Sequence, residues 1–108
     1  MIEIRQYVDR LGEILSNVGL TKLDDGAQAR ITVSLDRLER GNLSAIKSVG
    51  AGVQELRVDF GPGYRIYFGR DGERLVILLG GGSKKRQQAD IAAAQALWHE
   101  YKERKLEE

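Results

Sequence analysis

The sequence contains no cysteine and only one histidine and one proline. The lack of cysteine excludes a disulfide scaffold, a thiol nucleophile and a zinc–thiolate site. With His99 as the sole histidine, a His-rich metal site and a Ser-His-Asp triad with a second base are also excluded. The sequence therefore implies neither a metal nor an organic cofactor, and any chemistry must come from other side chains.

Long hydrophobic runs are also missing. The longest, Leu75 to Leu79, has five residues, whereas a membrane span needs about 18. The first ten residues alternate apolar and charged side chains and lack the apolar stretch of a secretory signal. These features predict a cytoplasmic protein without a membrane partner.

What is present is an ordinary globular composition. The 108 residues are 42% hydrophobic and 31% charged, which predicts one folded domain over residues 1–108. The 17 basic and 16 acidic residues leave a formal charge of +1. A general nucleic-acid coating protein is normally far more basic, so any contact with RNA or DNA is expected to use a local patch.

The N-terminal half shows helical spacing of apolar residues. A short strand is predicted at Ile2–Ile4, a helix over Val8–Val18 that ends at Gly19, and a second helix over Ala27–Arg40 that ends at Gly41. Because few residues separate the two helices, they are expected to pack as an antiparallel pair.

The period then changes to the alternation of β-strands. Strands are predicted at Val53–Phe60, Tyr64–Phe68 and Leu75–Leu79, separated by the turns Gly61-Pro62-Gly63 and Arg70-Asp71-Gly72. The last strand is apolar throughout, which predicts cover on both of its faces. The three strands are expected to form an antiparallel meander.

A final helix is predicted over Gln87–Lys105. Trp98 falls on its apolar stripe and is predicted to be core, whereas His99 is predicted to lie at the surface. The predicted fold class is thus α+β: a small antiparallel sheet with two N-terminal helices and one C-terminal helix, in the order β-α-α-β-β-β-α. The helices are expected to pack against one face of the sheet.

The other face of the sheet carries the candidate site. Arg57 and Arg65 project from paired strands on the side away from the predicted core. The further polar residues placed on or near this face are Lys47, Glu55, Asp59, Tyr67, Lys84, Lys85 and Arg86. Two interpretations stay open: a concave basic cleft, or the ordinary charged outer face of amphipathic strands.

Two glycine-rich segments are candidates for ligand-binding loops. In the segment G-G-G-S-K-K-R (80–86), glycines before three cations and a helix start predict either an anion-binding loop or a flexible turn with solvated lysines. It lacks the spacing of a P-loop. Gly50-Ala51-Gly52 is rejected as a dinucleotide site, because Glu55 occupies the third glycine position and no helix follows.

Longer stretches carry a family resemblance. The segments VGAGVQELRVDFGPGYRIYF (Val49–Phe68) and ILLGGGSKKRQQADIAAA (Ile77–Ala94), followed by Leu97-Trp98, resemble the addiction-module killer branch of the RelE/ParE toxin superfamily, close to HigB-type toxins. The resemblance implies a RelE-like fold with a small twisted antiparallel sheet. It also implies the toxin of a type II toxin–antitoxin system.

In RelE-like members, the activity implied is ribosome-dependent cleavage of mRNA, which arrests translation. Such cleavage requires a deprotonated 2′-hydroxyl, a stabilised pentacovalent phosphate and a protonated leaving group. By resemblance, Arg65 matches the strand arginine assigned to the scissile phosphate. Arg57 matches the cations of the open face, and Lys84 or Lys85 matches the basic residue that ends the last strand.

The proton-transfer groups of the family are not all matched. Glu55 stands where a lysine is expected in RelE itself, and it is either a base or a partner for Arg57. Several active relatives place a tyrosine or histidine at the start of the last helix, where this chain has Gln87, Gln88 and Asp90. Tyr67 is the candidate substitute. The assigned site is therefore catalytic Arg57, Arg65 and Lys84, with RNA contacts from Lys47, Glu55, Tyr67, Lys85 and Arg86.

The resemblance also implies partners and alternatives. A cognate antitoxin is the expected protein partner, ribosome and mRNA the expected target, and operator DNA is expected to be contacted only through the antitoxin. Two other hypotheses remain: a toxin that poisons DNA gyrase instead of cutting RNA, and an inactive scaffold that binds the antitoxin.

Overall fold

A computed structural model of the chain describes residues 2–7, 25–61 and 63–107. Within these ranges, a five-stranded sheet separates two α-helices. In chain order the elements are β1 (Glu3–Gln6), α1 (Asp25–Glu39), β2 (Ile46–Gly50), β3 (Val53–Val58), β4 (Tyr64–Asp71), β5 (Leu75–Ser83), a 3₁₀ turn (Lys84–Arg86) and α2 (Gln87–Glu107). No helix in these ranges is long and apolar enough to cross a membrane.

The α+β class and the C-terminal helix are confirmed, and α1 matches the predicted second helix. Glycine ends α1 as expected: Gly41 has a φ of 86°, and the Asn42 N–H donates to the carbonyl of Arg37 at 2.9 Å. The predicted helix over Val8–Val18, and with it the antiparallel helix pair, lies outside the described residues.

The predicted order of elements is wrong because it lacks β2. This strand pairs with β3 in antiparallel register, with Lys47 opposite Glu55, and turns into it through Gly50-Ala51-Gly52. Ala51 has a φ of 54° and both flanking glycines also have positive φ, which makes the reversal tight. A five-residue edge strand with three exposed positions has too little apolar alternation to be visible in the sequence.

The sheet is mixed, not antiparallel throughout. Its strand order is β1-β5-β4-β3-β2, and β1 runs parallel to β5, with Glu3 opposite Leu75. The N–H of Ile2 also donates to the carbonyl of Glu39 at 2.9 Å, which ties the start of β1 to the end of α1. The partner and direction of a strand depend on where the chain returns, so the local pattern of Ile2–Ile4 could not supply them.

The helices cover both faces of the sheet, so the prediction of a single helix-covered face is wrong. On one face, α1 contributes Ile31 and Leu38 to a cluster with buried residues of β3, β4 and β5. On the other, α2 contributes Ala94 and Trp98 to a second cluster. The prediction that Leu75–Leu79 is covered on both faces is confirmed, because Val76 and Leu78 join the first cluster and Ile77 and Leu79 the second.

Trp98 is the centre of the contact between α2 and the sheet. It is only 6% exposed, which confirms the prediction that it is core, and it stacks on Tyr101 at 5.0 Å between ring centroids. The sheet makes room for it with glycine, since a Cβ at Gly69 would overlap the indole ring and one at Gly52 would lie 2.7 Å from its Nε1. His99 is exposed, as predicted.

Candidate functional site

Three cations meet at one end of the β3–β4 hairpin. Arg57, Arg65 and Lys84 line an open depression of about 320 Å³. The other described residues that line it are Asp59, Phe60, Gly61 and Gly63. Asp59 is the one acid in this set, so the lining is strongly basic although the whole chain is nearly neutral.

Backbone pairing brings these cations together. The register of β3 and β4 places Arg57 opposite Arg65, and residues directly opposite in an antiparallel pair have neighbouring side chains. The N–H of Lys84 donates to the carbonyl of Gly63 at 3.0 Å, which holds the end of β5 beside the hairpin turn. The structure thus brings together the three residues predicted to be catalytic.

The two arginines differ sharply in environment. The Arg57 side chain is 53% exposed and lies 3.7 Å from Asp59. The Arg65 side chain is 9% exposed, and its Nε lies 3.2 Å from Oε1 of Glu55. The Nη1 of Arg65 donates to the carbonyl of Tyr64 at 3.2 Å. Arg65 is thus anchored in the protein with one edge at the depression, whereas Arg57 is at the surface.

Glu55 lies beneath this site and is fully buried, with 0% exposure. The prediction of an open sheet face is therefore wrong here, because α2 covers it. The alternative that Glu55 pairs with Arg57 is also wrong, because its carboxylate lies against Arg65. Its second oxygen, Oε2, accepts a hydrogen bond of 2.9 Å from Nε2 of Gln87, the first residue of α2.

The Tyr67 hydroxyl lies in the same buried layer. The residue is 1% exposed, and among the described residues its hydroxyl has no hydrogen-bond partner. Burial, with the negative charges of Glu55 and Asp90, raises the pKa of Tyr67 to about 12. At neutral pH this phenol stays protonated, so as the structure stands it is a buried proton donor and not a base.

The remaining predicted RNA-binding residues lie outside the depression. Lys47 is exposed on the edge strand β2, across from buried Glu55. Lys85 and Arg86 are exposed on the 3₁₀ turn next to Lys84. None of these three cations lines the depression, and their contacts with RNA stay a prediction.

The three glycines of the glycine-rich segment lie in a strand and form neither a loop nor a turn. Gly80, Gly81 and Gly82 belong to β5 and pair with Tyr67, Ile66 and Arg65 of β4. A Cβ at Gly82 would lie 2.5 Å from Oδ2 of Asp90 in α2. Glycine is therefore needed at position 82 for the close approach of the helix start to the strand.

Sequence reasoning missed two contributions to the site. Gln87 was noted only as a residue standing where an acid was expected, and no sequence signal connects it to Glu55, 32 positions away. Phe60, which ends the predicted strand Val53–Phe60, also lines the depression. Within the described residues, no group of three or more histidine, cysteine or acidic residues could hold a metal ion.

This architecture defines the class of protein: a small α+β domain in which a mixed sheet between two helices presents an anchored arginine in a cationic depression. The comparison with known families goes one step further. Residues 19–99 match the sequence model described as "Phage derived protein Gp49-like (DUF891)". The chain belongs to this Gp49-like family, which is part of the RelE/Gp49 toxin-like group.

A relative from Haemophilus influenzae is 47% identical over 74 residues, which is 68% of this chain and 75% of the relative. It carries the description "Uncharacterized protein" and so adds no activity. The matched range, residues 19–99, contains the positions of Arg57, Arg65 and Lys84. The toxin-like family is thus confirmed, and the HigB-like branch stays a prediction.

Proposed function

We propose that this chain is the toxin of a HigB-like type II toxin–antitoxin pair and that it cuts mRNA on the ribosome in the cytoplasm. The observation that carries the proposal is the convergence of Arg57, Arg65 and Lys84 in one depression with a single acid among its described lining residues. A cognate antitoxin is the partner expected for a member of this toxin-like family. Operator DNA would be contacted only through that antitoxin.

The chemistry of the depression fits a phosphate in its charged transition state. A pentacovalent phosphate carries more negative charge than the substrate, so fixed cations stabilise it selectively. A guanidinium presents planar, paired donors to phosphate oxygens, and Arg65 is held in place by contacts on its protein side. Arg57 and Lys84 supply further charge at the surface without a metal ion.

A groove along α1 borders the depression, and in this proposal it is the path of the RNA strand. Arg57 and Asp59 line both cavities, and Arg30 and Arg37 line the groove farther along. Arg30 and Arg37 are two helical turns apart, or about 10 Å. The groove therefore places two further cations along the proposed path of the strand.

The test is induced expression without an antitoxin, with labelled amino-acid incorporation and mapping of mRNA 5′ ends. Arg65→Ala alone is a poor probe, because it leaves the buried Glu55 without its cation and risks unfolding. Arg57→Ala and Lys84→Ala change exposed residues of the same depression. Wild type is expected to arrest translation and create new mRNA ends, and each variant to lose at least about tenfold in activity.

Arg74→Ala is the matched control, because Arg74 is exposed in the β4–β5 turn at the opposite end of the hairpin. It is expected to act as wild type does. Arrest of growth with intact mRNA and broken DNA would indicate that the protein is a gyrase poison and not a nuclease. Growth without arrest would leave an inactive scaffold for the antitoxin.

A further inference from the structure

A chain of polar contacts runs from α2 to the depression through the interior of the protein. Gln87 Nε2 donates to Glu55 Oε2 at 2.9 Å. Glu55 Oε1 lies 3.2 Å from Arg65 Nε. The three residues come from the start of α2, from β3 and from β4, so they meet only when the helix docks on the sheet.

The Glu55 carboxylate needs both of these partners. It is fully buried, and a buried carboxylate is costly unless its oxygens are paired. Arg65 accounts for one oxygen and Gln87 for the other. The register makes Glu55 a diagonal neighbour of Arg65, since it lies opposite Tyr67 while Arg57 lies opposite Arg65, and such diagonal pairs are within reach of long side chains.

The contact between Arg65 and Glu55 is an ion pair without an aligned hydrogen bond. The Arg65 Nε and the Glu55 Oε1 are close enough for an ion pair, yet neither atom has an aligned hydrogen bond with a described residue. The guanidinium plane is therefore set by charge attraction to the carboxylate and by the bond from Nη1 to Tyr64. Because a carboxylate rotates readily about its last torsion, the hydrogen bond from the Gln87 amide restrains the plane of the Glu55 carboxylate.

The orientation of the plane matters at the surface of the depression. A Cβ at Gly63 would lie 3.4 Å from Arg65 Nη1, so the guanidinium edge borders the hairpin turn closely. Two parallel hydrogen bonds to a phosphate require the guanidinium to be coplanar with the phosphate oxygens. A small rotation would leave Arg65 in place and still abolish one of the two bonds.

We propose that Gln87 is a positioning residue that fixes the Glu55 carboxylate and, through it, the orientation in which Arg65 meets an RNA phosphate. This inference rests on the proposed function, because that function supplies the phosphate. In this role Gln87, at the start of α2, acts without touching the substrate. This role also explains why an amide serves at a position where a proton donor was expected.

The experiment compares Gln87→Met, which keeps length and helix propensity but removes the donor, with the control Gln88→Met. Gln88 is the next residue and is exposed. The readout is the ¹⁵N-detected Nε–H signal of Arg65, identified by its loss in Arg65→Lys. Its order parameter and its exchange with solvent are measured, and a 2′-O-methyl RNA trinucleotide, which cannot be cleaved, is titrated as the phosphate probe.

In Gln87→Met we expect a lower order parameter and faster exchange at Arg65 Nε–H. We also expect roughly tenfold weaker binding of the trinucleotide, as for the loss of one charge-assisted hydrogen bond. Circular dichroism should be unchanged, and Gln88→Met should match wild type. A purely structural role would shift the unfolding midpoint of Gln87→Met and leave the Arg65 signal and the affinity of the folded protein unaltered, which would overturn the proposal.

Failure of the proposed function has a different signature. If wild type produces no new mRNA ends on ribosomes but its Arg65 signal responds to the trinucleotide, and Gln87→Met weakens that response, positioning is supported and the nuclease is refuted. If the Arg65 signal of wild type does not respond to the trinucleotide at all, the positioning proposal is overturned as well.

Discussion

Buried polar atoms are concentrated at a few residues behind the depression. Within the described part of the chain, Glu55, Arg65 and Tyr67 each have a buried polar atom without an aligned hydrogen bond, and Gln54 is the fourth such residue. Leaving such atoms unpaired costs free energy of folding. Proteins keep such arrangements where function requires them, and here three of the four lie together under the site.

At this scale we predict that Tyr67→Phe stabilises the protein. The variant removes a buried hydroxyl that lacks a described partner, and we expect the free energy of unfolding at about pH 7 to rise by about 1 kcal/mol. Urea denaturation of the two proteins measures the difference. A loss of stability in the variant would show that the hydroxyl has a stabilising partner.

The raised pKa of Tyr67 also predicts that the protein becomes less stable at alkaline pH. The pKa of Tyr67 is about 12 in the folded protein against an ordinary 10.0, so the unfolded chain loses this proton first. Ionisation of Tyr67 therefore leaves the free energy of unfolding unchanged below about pH 10 and lowers it by up to about 3 kcal/mol as the pH rises to about 12. Tyr67→Phe should lack this part of the decline, and parallel stability curves would contradict the expectation.

Helix α2 is fastened to the sheet at both ends by polar contacts, with Trp98 between them. At its start Gln87 bonds Glu55. Near its end the Tyr101 hydroxyl and the Lys105 ammonium donate to Asp71, the last residue of β4. The first of these contacts involves the carboxylate that pairs with Arg65, so it links the start of α2 to the depression.

For this element we predict that Asp71→Asn loosens the end of α2. The hydrogen bonds from Lys105 and Tyr101 lower the pKa of Asp71 below its ordinary 3.8. The carboxylate therefore stabilises the fold above that ordinary value, and the stabilisation is lost as the pH falls through the lowered pKa. Hydrogen exchange should show faster exchange of the amides of residues 101–107 in the variant at neutral pH.

We expect Asp71→Asn to lower the free energy of unfolding by about 1 kcal/mol, because Lys105 is partly solvated. Asp36→Asn is a control of similar chemistry, since Asp36 pairs with Arg40 on the exposed side of α1. It should leave the exchange of α2 unchanged. Equal exchange at the end of α2 in Asp71→Asn and wild type would show that the ion pair does not hold the helix.

For the molecule as a whole, the distribution of charge matters more than its sum. The formal charge is +1, yet the depression and the groove along α1 together are lined by five cations, Arg30, Arg37, Arg57, Arg65 and Lys84. Asp59 is the one acid among their described lining residues. Such a local concentration attracts a polyanion even when the net charge is near zero.

We predict that replacing Arg30 and Arg37 together with alanine weakens binding of single-stranded RNA and flattens its salt dependence. The slope of log affinity against log salt should fall in magnitude by about 1.4, roughly 0.7 for each lost phosphate contact. Fluorescence anisotropy of a labelled oligonucleotide at several salt concentrations measures it. The double variant Arg40→Ala/Arg74→Ala removes the same charge elsewhere and should retain the wild-type slope.

Local patterns predicted much of the fold. Alternation placed Arg57 and Arg65 on the same face of paired strands, because every second side chain of a strand points to the same face. The apolar run Leu75–Leu79 predicted a strand covered on both sides, and Gly41 predicted the end of α1. Edge strand β2 was missed, because a short, mostly exposed strand has no apolar period. The extent of β5 was underestimated, because three of its last four residues are glycines, which pair without side chains.

The sequence by itself determined the class of fold, the toxin-like family and the three cations of the depression, since each depends on short-range spacing or on recognisable segments. Only the tertiary structure decided which face α2 covers. Periodicity shows which residues share a face, but the element that covers the face comes from elsewhere in the chain. That choice buries Glu55 and Tyr67, brings Gln87 to Glu55, and leaves Arg57 at the surface while Arg65 is anchored.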